Sequence, residues 1–391
     1  MKRIAFVHNW FPAGGAERVT IDIAEYLIMV GGYEVYVFAT HLSESMLTEK
    51  VQKVVHLRSI PSQAIPSRRS AAIEKLLVDE HIDILVQVVK SLPDIEGIKA
   101  RTGCKVVLAC HGEPFWQRHA IMHRRRKGFF RKLLWYLYNK RRFEDGTLAM
   151  KLAVERSRHD YVSCDAYTVL CEPYRAETAE VLGLDPVDNH IYVIENPENP
   201  VDDVCLEKEN VMLFCGRFEN WSKRIDRLLR IWSKVQGALP DWRLVLVGDG
   251  RDGKMLRELA GELGLERVSF EGMQTDVRPY YAEASVLCLT SETEGWPLTL
   301  TEGQANGCIC VAFGCTSGVK EILSPDGECG FIVPPYDEDM YAQVLLKIAS
   351  MDKESQITMR RRAVERRLEY TPEKIAVKWK SLFDMLCNQK Q

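Results

Sequence analysis

Two carboxylates stand eight residues apart in the stretch Ser291–Glu292–Thr293–Glu294–Gly295–Trp296–Pro297–Leu298–Thr299–Leu300–Thr301–Glu302–Gly303. The segment reads as a loop that turns into a helix. The first N–H groups of such a helix, notably at Leu298 and Thr299, lack partners inside it and suit a phosphate. Glu294 and Glu302, one on each side, could then take hydroxyls, one from a sugar and one from a ribose. A purely local reading competes with this. Thr299-x-x-Glu302 and Ser291-x-x-Glu294 both have the spacing of a capping box. Pro297 argues against the second box, because a helix begun at Ser291 would break within two turns. Thr299 stays a candidate N-cap, and a Glu302 bonded back to it is not fully free for a ribose.

Cations precede this stretch. Cys215–Gly216–Arg217–Phe218 lies between a predicted strand and a predicted helix, and Lys223 follows six residues after Arg217. Two cations at a helix start suit a diphosphate, whose charge grows as it leaves. Arg and Lys usually end as solvated surface charges. The position at a strand's carboxyl end favours the ligand role here. Val247–Gly248–Asp249–Gly250 reads as a tight turn whose glycines are mainly steric. Near the start, Gly14 and Gly15 in Asn9–Trp10–Phe11–Pro12–Ala13–Gly14–Gly15–Ala16–Glu17–Arg18 would let backbone N–H groups approach an anion where a helix begins. That spacing is neither GxGxxG nor a P-loop, which counts against NAD and ATP. Asp337–Glu338–Asp339 has the form of a metal-binding DxD string. It follows Pro334–Pro335–Tyr336 and precedes a helical stretch, so these acids read as helix-start residues, and no required metal or cofactor is expected.

Short apolar runs must position these residues. A first series is Ile4–Val7, Glu34–Ala39, Val54–Leu57, Ile82–Val89, Lys105–Cys110, Ala166–Leu170 and Ile191–Ile194. A second is Val211–Cys215, Arg243–Val247, Val268–Glu271, Val286–Leu289, Cys308–Phe313 and Phe331–Val333. They are rich in Val, Ile and Leu without strict alternation, as strands buried on both faces are. Amphipathic stretches lie between them. In Arg224–Leu239 the residues Ile225, Leu228, Leu229, Trp232 and Val235 share one helical face. The alternation predicts an α/β fold with parallel sheets. The break is Asn196–Asn210, NPENPVDDVCLEKEN, with two prolines, five acids and no apolar period. Two Rossmann-like domains follow, residues 1–197 and 198–372, with a helix at about 373–391 expected to pack back on the first. Each should bind ligands at the carboxyl ends of its strands, with the substrate cleft between them.

The 391 residues are 27% charged and 46% hydrophobic, an ordinary globular mix. A net charge of −3 argues against a protein built around nucleic acid. The twelve cysteines show no CxxC pair and no zinc spacing, and read as buried reduced thiols. The apolar stretch of MKRIAFVHNW is too short for a secretory leader, and no apolar run is long enough to span a bilayer. A cytoplasmic location is expected. One segment departs from the mean. His123–Arg142 carries nine Lys or Arg and no acid, with Phe129, Phe130, Trp135 and Tyr138 interleaved. Such a helix suits an anionic membrane surface, here the inner face of the plasma membrane; the alternative is packing on the first domain with its cations in water.

Together these motifs resemble glycosyltransferase family 4, retaining enzymes of the GT-B fold. The matching residues are Gly14–Gly15–Ala16–Glu17, Val193–Ile194–Glu195–Asn196–Pro197, Gly216–Arg217, Lys223, Val247–Gly248–Asp249–Gly250, Phe270–Glu271–Gly272, and Glu294 with Glu302. The resemblance implies that Arg217 and Lys223 hold a donor diphosphate, beside Gly216. It implies that Glu294 contacts the donor sugar, that Glu302 contacts the ribose, and that the backbone at Leu298 and Thr299 binds phosphate. Gly14 and Gly15 would approach the diphosphate and the acceptor, and His111, ending KVVLACHG, would lie near the donor sugar. A turn residue satisfied by backbone is the other reading of His111. Arg217, Lys223, Glu294 and His111 would be the catalytic set. The implied donor is a nucleotide-sugar, UDP-linked by family frequency. The implied acceptor is a saccharide or lipid-linked saccharide of a surface polysaccharide. Two departures are visible: Lys223–Arg224 where the family usually has Lys-Gly, and no proline near Asn306–Gly307–Cys308–Ile309–Cys310. A GT-B-like epimerase or phosphorylase and a non-catalytic GT-B-like subunit are the rival functions.

Overall fold

Each of the thirteen apolar runs becomes a strand in the computed structural model, which describes residues 1–12, 14–43, 48–62, 66–88, 92–122, 146–187 and 189–388. The chain divides into two units. The first is Met1–Glu195 with Pro372–Gln391, and the second is Asn196–Thr371. The basic segment His123–Arg142 lies outside the described residues.

The first unit holds β1 (Lys2–Phe11), β2 (Tyr33–Leu42), β3 (His56–Ser59), β4 (Ile84–Val88), β5 (Lys105–Ala109), β6 (Ala166–Val169) and β7 (Ile191–Val193). They form one sheet in the order β3-β2-β1-β4-β5-β6-β7, and every pair is parallel. Ile4, Ala5, Ile84, Leu85, Val86, Val106 and Val107 are fully buried, as a sheet covered on both faces requires. The helix Pro372–Asn388 belongs to this unit. Its Trp379 meets Phe6 edge to face at 6.5 Å, and its Asp384 accepts from Lys2 and Tyr33.

The second unit holds β8 (Glu209–Cys215), β9 (Arg243–Val247), β10 (Val268–Gly272), β11 (Ala284–Leu289), β12 (Ile309–Phe313) and β13 (Gly330–Val333). Their order is β10-β9-β8-β11-β12-β13, again parallel throughout. The helix Ile225–Val235 buries Ile225, Leu228, Leu229, Trp232 and Val235, the face that the periodicity predicts. In both sheets the order reverses once, between β1 and β4 and between β8 and β11. Connections leave opposite faces there, so a crevice opens at the carboxyl ends of those strands.

Three boundaries differ from the sequence reading. Val54 closes the helix Glu49–Val54, and β3 starts only at His56. Arg224 does not open the long helix. It sits at φ +48 between a short helix Asn220–Lys223 and the helix Ile225–Val235. The segment expected as a plain linker begins as packed structure. Asn196 and Glu198 are buried, the Glu198 N–H donates to the Tyr370 carbonyl, and Thr301 Oγ1 donates to the Glu198 carboxylate at 2.8 Å.

Candidate functional site

Lys223 ends the helix that follows β8, and Glu294 lies in the loop that follows β11. These are the two strands at the reversal of the second sheet. Lys223 Nζ donates to Glu294 Oε1 at 2.5 Å, and Ser291 Oγ donates to the same oxygen at 2.6 Å. The two loops are laced together behind the pair. The Glu292 N–H donates to the Ser222 carbonyl at 2.7 Å, and Thr290 Oγ1 donates to the Arg224 carbonyl at 3.1 Å. No helix starts at Ser291, so its hydroxyl serves the carboxylate rather than a cap. Among the described residues, Glu294 takes one of the three N–H groups of Lys223, which leaves two for a ligand anion.

Glu302 is held differently. It lies in the helix Leu298–Ala305, whose N-cap is Pro297 with no side-chain cap bond. The expectation that Thr299 is the N-cap is therefore corrected. Thr299 is the second helical residue, its hydroxyl is buried without a partner, and no capping box with Glu302 forms. Pro297 holds the extended N-cap conformation, φ −68 and ψ 104, so the helix starts at Leu298. Glu302 instead accepts from Tyr281 Oη at 2.8 Å. Burial and the Glu302 charge push the Tyr281 phenol well above its usual range, so it remains a donor. Gly303 lets the helix approach β11. A Cβ there would meet Leu287 Cδ2 at 2.5 Å. Leu298 and Thr299 stand at positions whose N–H groups have no acceptor one turn back.

Glycines shape the floor. Gly248 has φ +134, and a Cβ on it would lie 1.9 Å from the Gly216 carbonyl oxygen. A Cβ on Gly250 would lie 2.6 Å from the Phe218 carbonyl oxygen. The Phe218 N–H donates to the Asp249 carbonyl, so the loops after β8 and β9 run against each other backbone to backbone. Arg217 projects outward from this floor. Its side chain is 80% exposed, and its nearest carboxylate, Glu219, stands 3.8 Å away. It does not join the Lys223–Glu294 pair.

A charged network flanks the pair. Arg224 Nε and Nη2 donate to Asp226 at 2.9 and 3.1 Å, and its Nη1 donates to Glu292 at 3.2 Å. Arg227 Nη2 donates to Glu292 at 2.7 Å, and its guanidinium stacks 3.8 Å from the Tyr336 ring centroid. Burial pushes the Asp226 carboxyl up, but the hydrogen bonds from Arg224 and Arg230 outweigh it and bring it down to about 2. Sequence reading missed Glu292, Tyr281 and Tyr336, because their partners are distant in the chain. Asp337, by contrast, caps the helix Glu338–Ser350 by accepting from the Met340 N–H, as the helix-start reading requires. No cluster with the makings of a metal site occurs among the described residues.

In the first unit, Gly14 precedes the helix Gly15–Val30 at φ +127. A Cβ on it would lie 2.4 Å from Glu17 Oε2, so the carboxylate folds back over the turn. Glu17 Oε1 also lies 3.3 Å from His8 Nδ1, and His8 Nε2 lies 2.9 Å from Thr20 Oγ1. The buried His8 was not singled out from sequence, because it sits inside an apolar strand. His111 lies two residues past β5 and is partly buried.

Comparison with known proteins shows the family. A model of glycosyltransferase family 4 matches residues 13–200, and a model of group 1 glycosyl transferases matches residues 209–351. The chain belongs to glycosyltransferase family 4. An uncharacterized glycosyltransferase of Haemophilus influenzae is 33% identical over 198 residues, 50% of this chain and 55% of that protein. The chain thus spans about half the length of that relative. An α-1,4-N-acetyl-D-galactosaminyltransferase of Campylobacter jejuni, named for an undecaprenol-diphosphate-linked saccharide, is 24% identical over 358 residues, 88% of each chain. Among solved structures, HepE of Anabaena, captured with UDP and glucose, superposes with a TM-score of 0.74 at 16% identity, covering 98% of this chain and all of that one. The family 4 chain therefore has the GT-B fold, two Rossmann-like domains with parallel sheets. Among its described residues no helix is long and apolar enough to cross a membrane.

Proposed function

We propose that this family 4 member transfers a hexosyl group from a nucleotide-sugar, UDP-linked, to a saccharide or lipid-linked saccharide acceptor, with retention of anomeric configuration. The observation that carries the reading is the Lys223–Glu294 pair at the reversal of the second sheet. Family membership and the name of the Campylobacter relative, which specifies an undecaprenol-diphosphate-linked saccharide, support it. So does the UDP held by HepE, a protein of like fold.

The roles follow from charge. Bond breaking at the sugar's anomeric carbon leaves an oxocarbenium-like sugar and sends the electron pair to the diphosphate. Lys223, with Arg217, offsets that growing charge, aided by Gly216 and the N–H groups at Leu298 and Thr299. Glu294, fixed by Lys223 and Ser291, accepts from a donor-sugar hydroxyl. Glu302, steadied by Tyr281, accepts from the ribose. In this reading Gly14 and Gly15 serve the acceptor, Gly15 also the diphosphate, and His111 the donor sugar. No metal or cofactor is required in this reading. The protein works in the cytoplasm at the inner membrane face, with His123–Arg142 as its membrane contact.

Turnover of a nucleotide-sugar panel with and without acceptor saccharides tests the reading, with Lys223→Ala as control. Transfer that depends on Lys223 and survives a chelator is the expected result. Binding without transfer or hydrolysis across the panel would favour a non-catalytic subunit. Epimerised donor without any acceptor would favour an epimerase. Retained Arg217, Lys223, Glu294 and Glu302 speak against the non-catalytic reading.

A further inference from the structure

Large exposed aromatics are rare among the described residues. Only Trp10 and Tyr336, at 56% and 37% exposed, stand out in this way. Tyr336 is occupied. Arg227 covers its face, Phe313 meets its edge at 5.8 Å, and its hydroxyl donates to the Glu292 carbonyl. Trp10 has a different setting. It lies at the carboxyl end of β1, in register with His41 at the carboxyl end of β2. The two rings stack with centroids 4.2 Å apart and planes 24° from parallel. The next residue, Phe11, is fully buried and anchors the strand beneath.

One indole face is therefore backed by the His41 imidazole, and the ring is carried on paired strands rather than on a loop. A rigid aromatic with one covered face leaves one flat apolar face for a ligand. A pyranose fits that face. Its axial C–H groups form an apolar surface, while its hydroxyls stay at the rim in water. Membrane insertion needs a contiguous apolar patch instead. The neighbouring Asn9, Thr40 and His41 are polar, and among the described residues no other large apolar side chain of β1 or β2 is exposed. Carboxyl strand ends beside a sheet reversal are also where α/β folds place ligands, and β1 borders the reversal.

We infer that Trp10, backed by His41, is a stacking platform for a pyranose ring of the acceptor saccharide. The inference rests on the proposed function for the existence of such an acceptor. It adds a subsite to it.

The test uses the full chain with ¹⁵N-labelled indoles. The Trp10 Nε1–H resonance is assigned by its loss in Trp10→Phe. The probes are methyl glycosides of glucose, galactose, N-acetylglucosamine and N-acetylgalactosamine, and separately UDP and phosphatidylglycerol vesicles. The expected result is a saturable shift of the Trp10 resonance with at least one glycoside. That affinity should weaken about threefold to tenfold in His41→Ala, the scale of one aromatic contact. Thermal unfolding of His41→Ala and of Trp10→Phe checks that both fold. A Trp10 resonance unmoved by every glycoside, or moved only by vesicles, overturns the platform. Lys223-dependent binding of UDP, measured in the same samples, keeps failure of the platform separate from failure of the donor site.

Discussion

Lys223 Nζ and Glu294 Oε1 meet at 2.5 Å although 71 residues separate them in sequence. Their contact joins the loops after β8 and β11, so each charge fixes the other before any ligand arrives. Removing the ammonium should remove charge stabilisation from the departing diphosphate. Lys223→Ala is expected to lower kcat/KM for the donor about a hundredfold or more. Lys223→Arg should recover only part, because a planar fork does not replace a point charge at this spacing. Steady-state kinetics with the active nucleotide-sugar decide this. A wild-type kcat/KM in Lys223→Ala would falsify the role.

Arg224 occupies a left-handed conformation, φ +48, a region that glycine enters most readily. Its guanidinium bonds to Asp226 and Glu292 hold it there. Strain and bonding can be separated by two substitutions. Arg224→Ala keeps the strain and loses the bonds, so it should destabilise by about 2 kcal/mol. Arg224→Gly loses the same bonds but relieves the strain, so it should lie about 1 kcal/mol above the alanine variant. Urea unfolding of both variants gives the difference. Equal stabilities would mean that the backbone at Arg224 is not strained.

The strands were legible because parallel strands covered on both faces must be continuous apolar runs. Val211–Cys215 and Cys308–Phe313 show this directly, and their cores are buried. The pairing of Lys223 with Glu294 was not legible, since nothing local in either segment depends on the other. Only the sheet order, which sets β8 beside β11, brings them together. Thr299 misled for the opposite reason. Its local spacing to Glu302 was right for a capping box, but Pro297 took the N-cap and Tyr281, from another helix, took the carboxylate. Glu17 was visible within its motif, but its partner His8 lay hidden in an apolar strand.

Gly248 makes a claim about sterics alone. A Cβ there would stand 1.9 Å from the Gly216 carbonyl oxygen, at φ +134. Backbone cannot yield as a side chain can. Gly248→Ala is therefore expected to cost about 3 kcal/mol or more, with loss of nucleotide binding as the loops after β8 and β9 separate. Gly261 is the matched control. It is inside the helix Gly253–Glu262, and a Cβ on it meets nothing within 4 Å. Gly261→Ala should be neutral or stabilising by about 0.5–1 kcal/mol. Denaturant midpoints compare the two, and a Gly248→Ala protein as stable as Gly261→Ala would refute the close approach.

Asp226 should make the second unit sensitive to acid. Burial raises its carboxyl, yet Arg224 and Arg230 bring it down to about 2 from the ordinary 3.8. The folded state thus prefers the ionised form more strongly than the unfolded chain does. The resulting stabilisation, about 2 kcal/mol, is fully present above about pH 4 and is lost as pH falls through about 2. Asp226→Asn removes the titration. Its deficit against wild type should be largest near neutral pH and should shrink as the pH falls through that window. Stability measured against pH for both proteins isolates this residue from other depressed carboxylates such as Asp276, which titrate in both. A deficit that stays constant down to about pH 2 would mean that Asp226 contributes through packing and neutral hydrogen bonds, not through its charge.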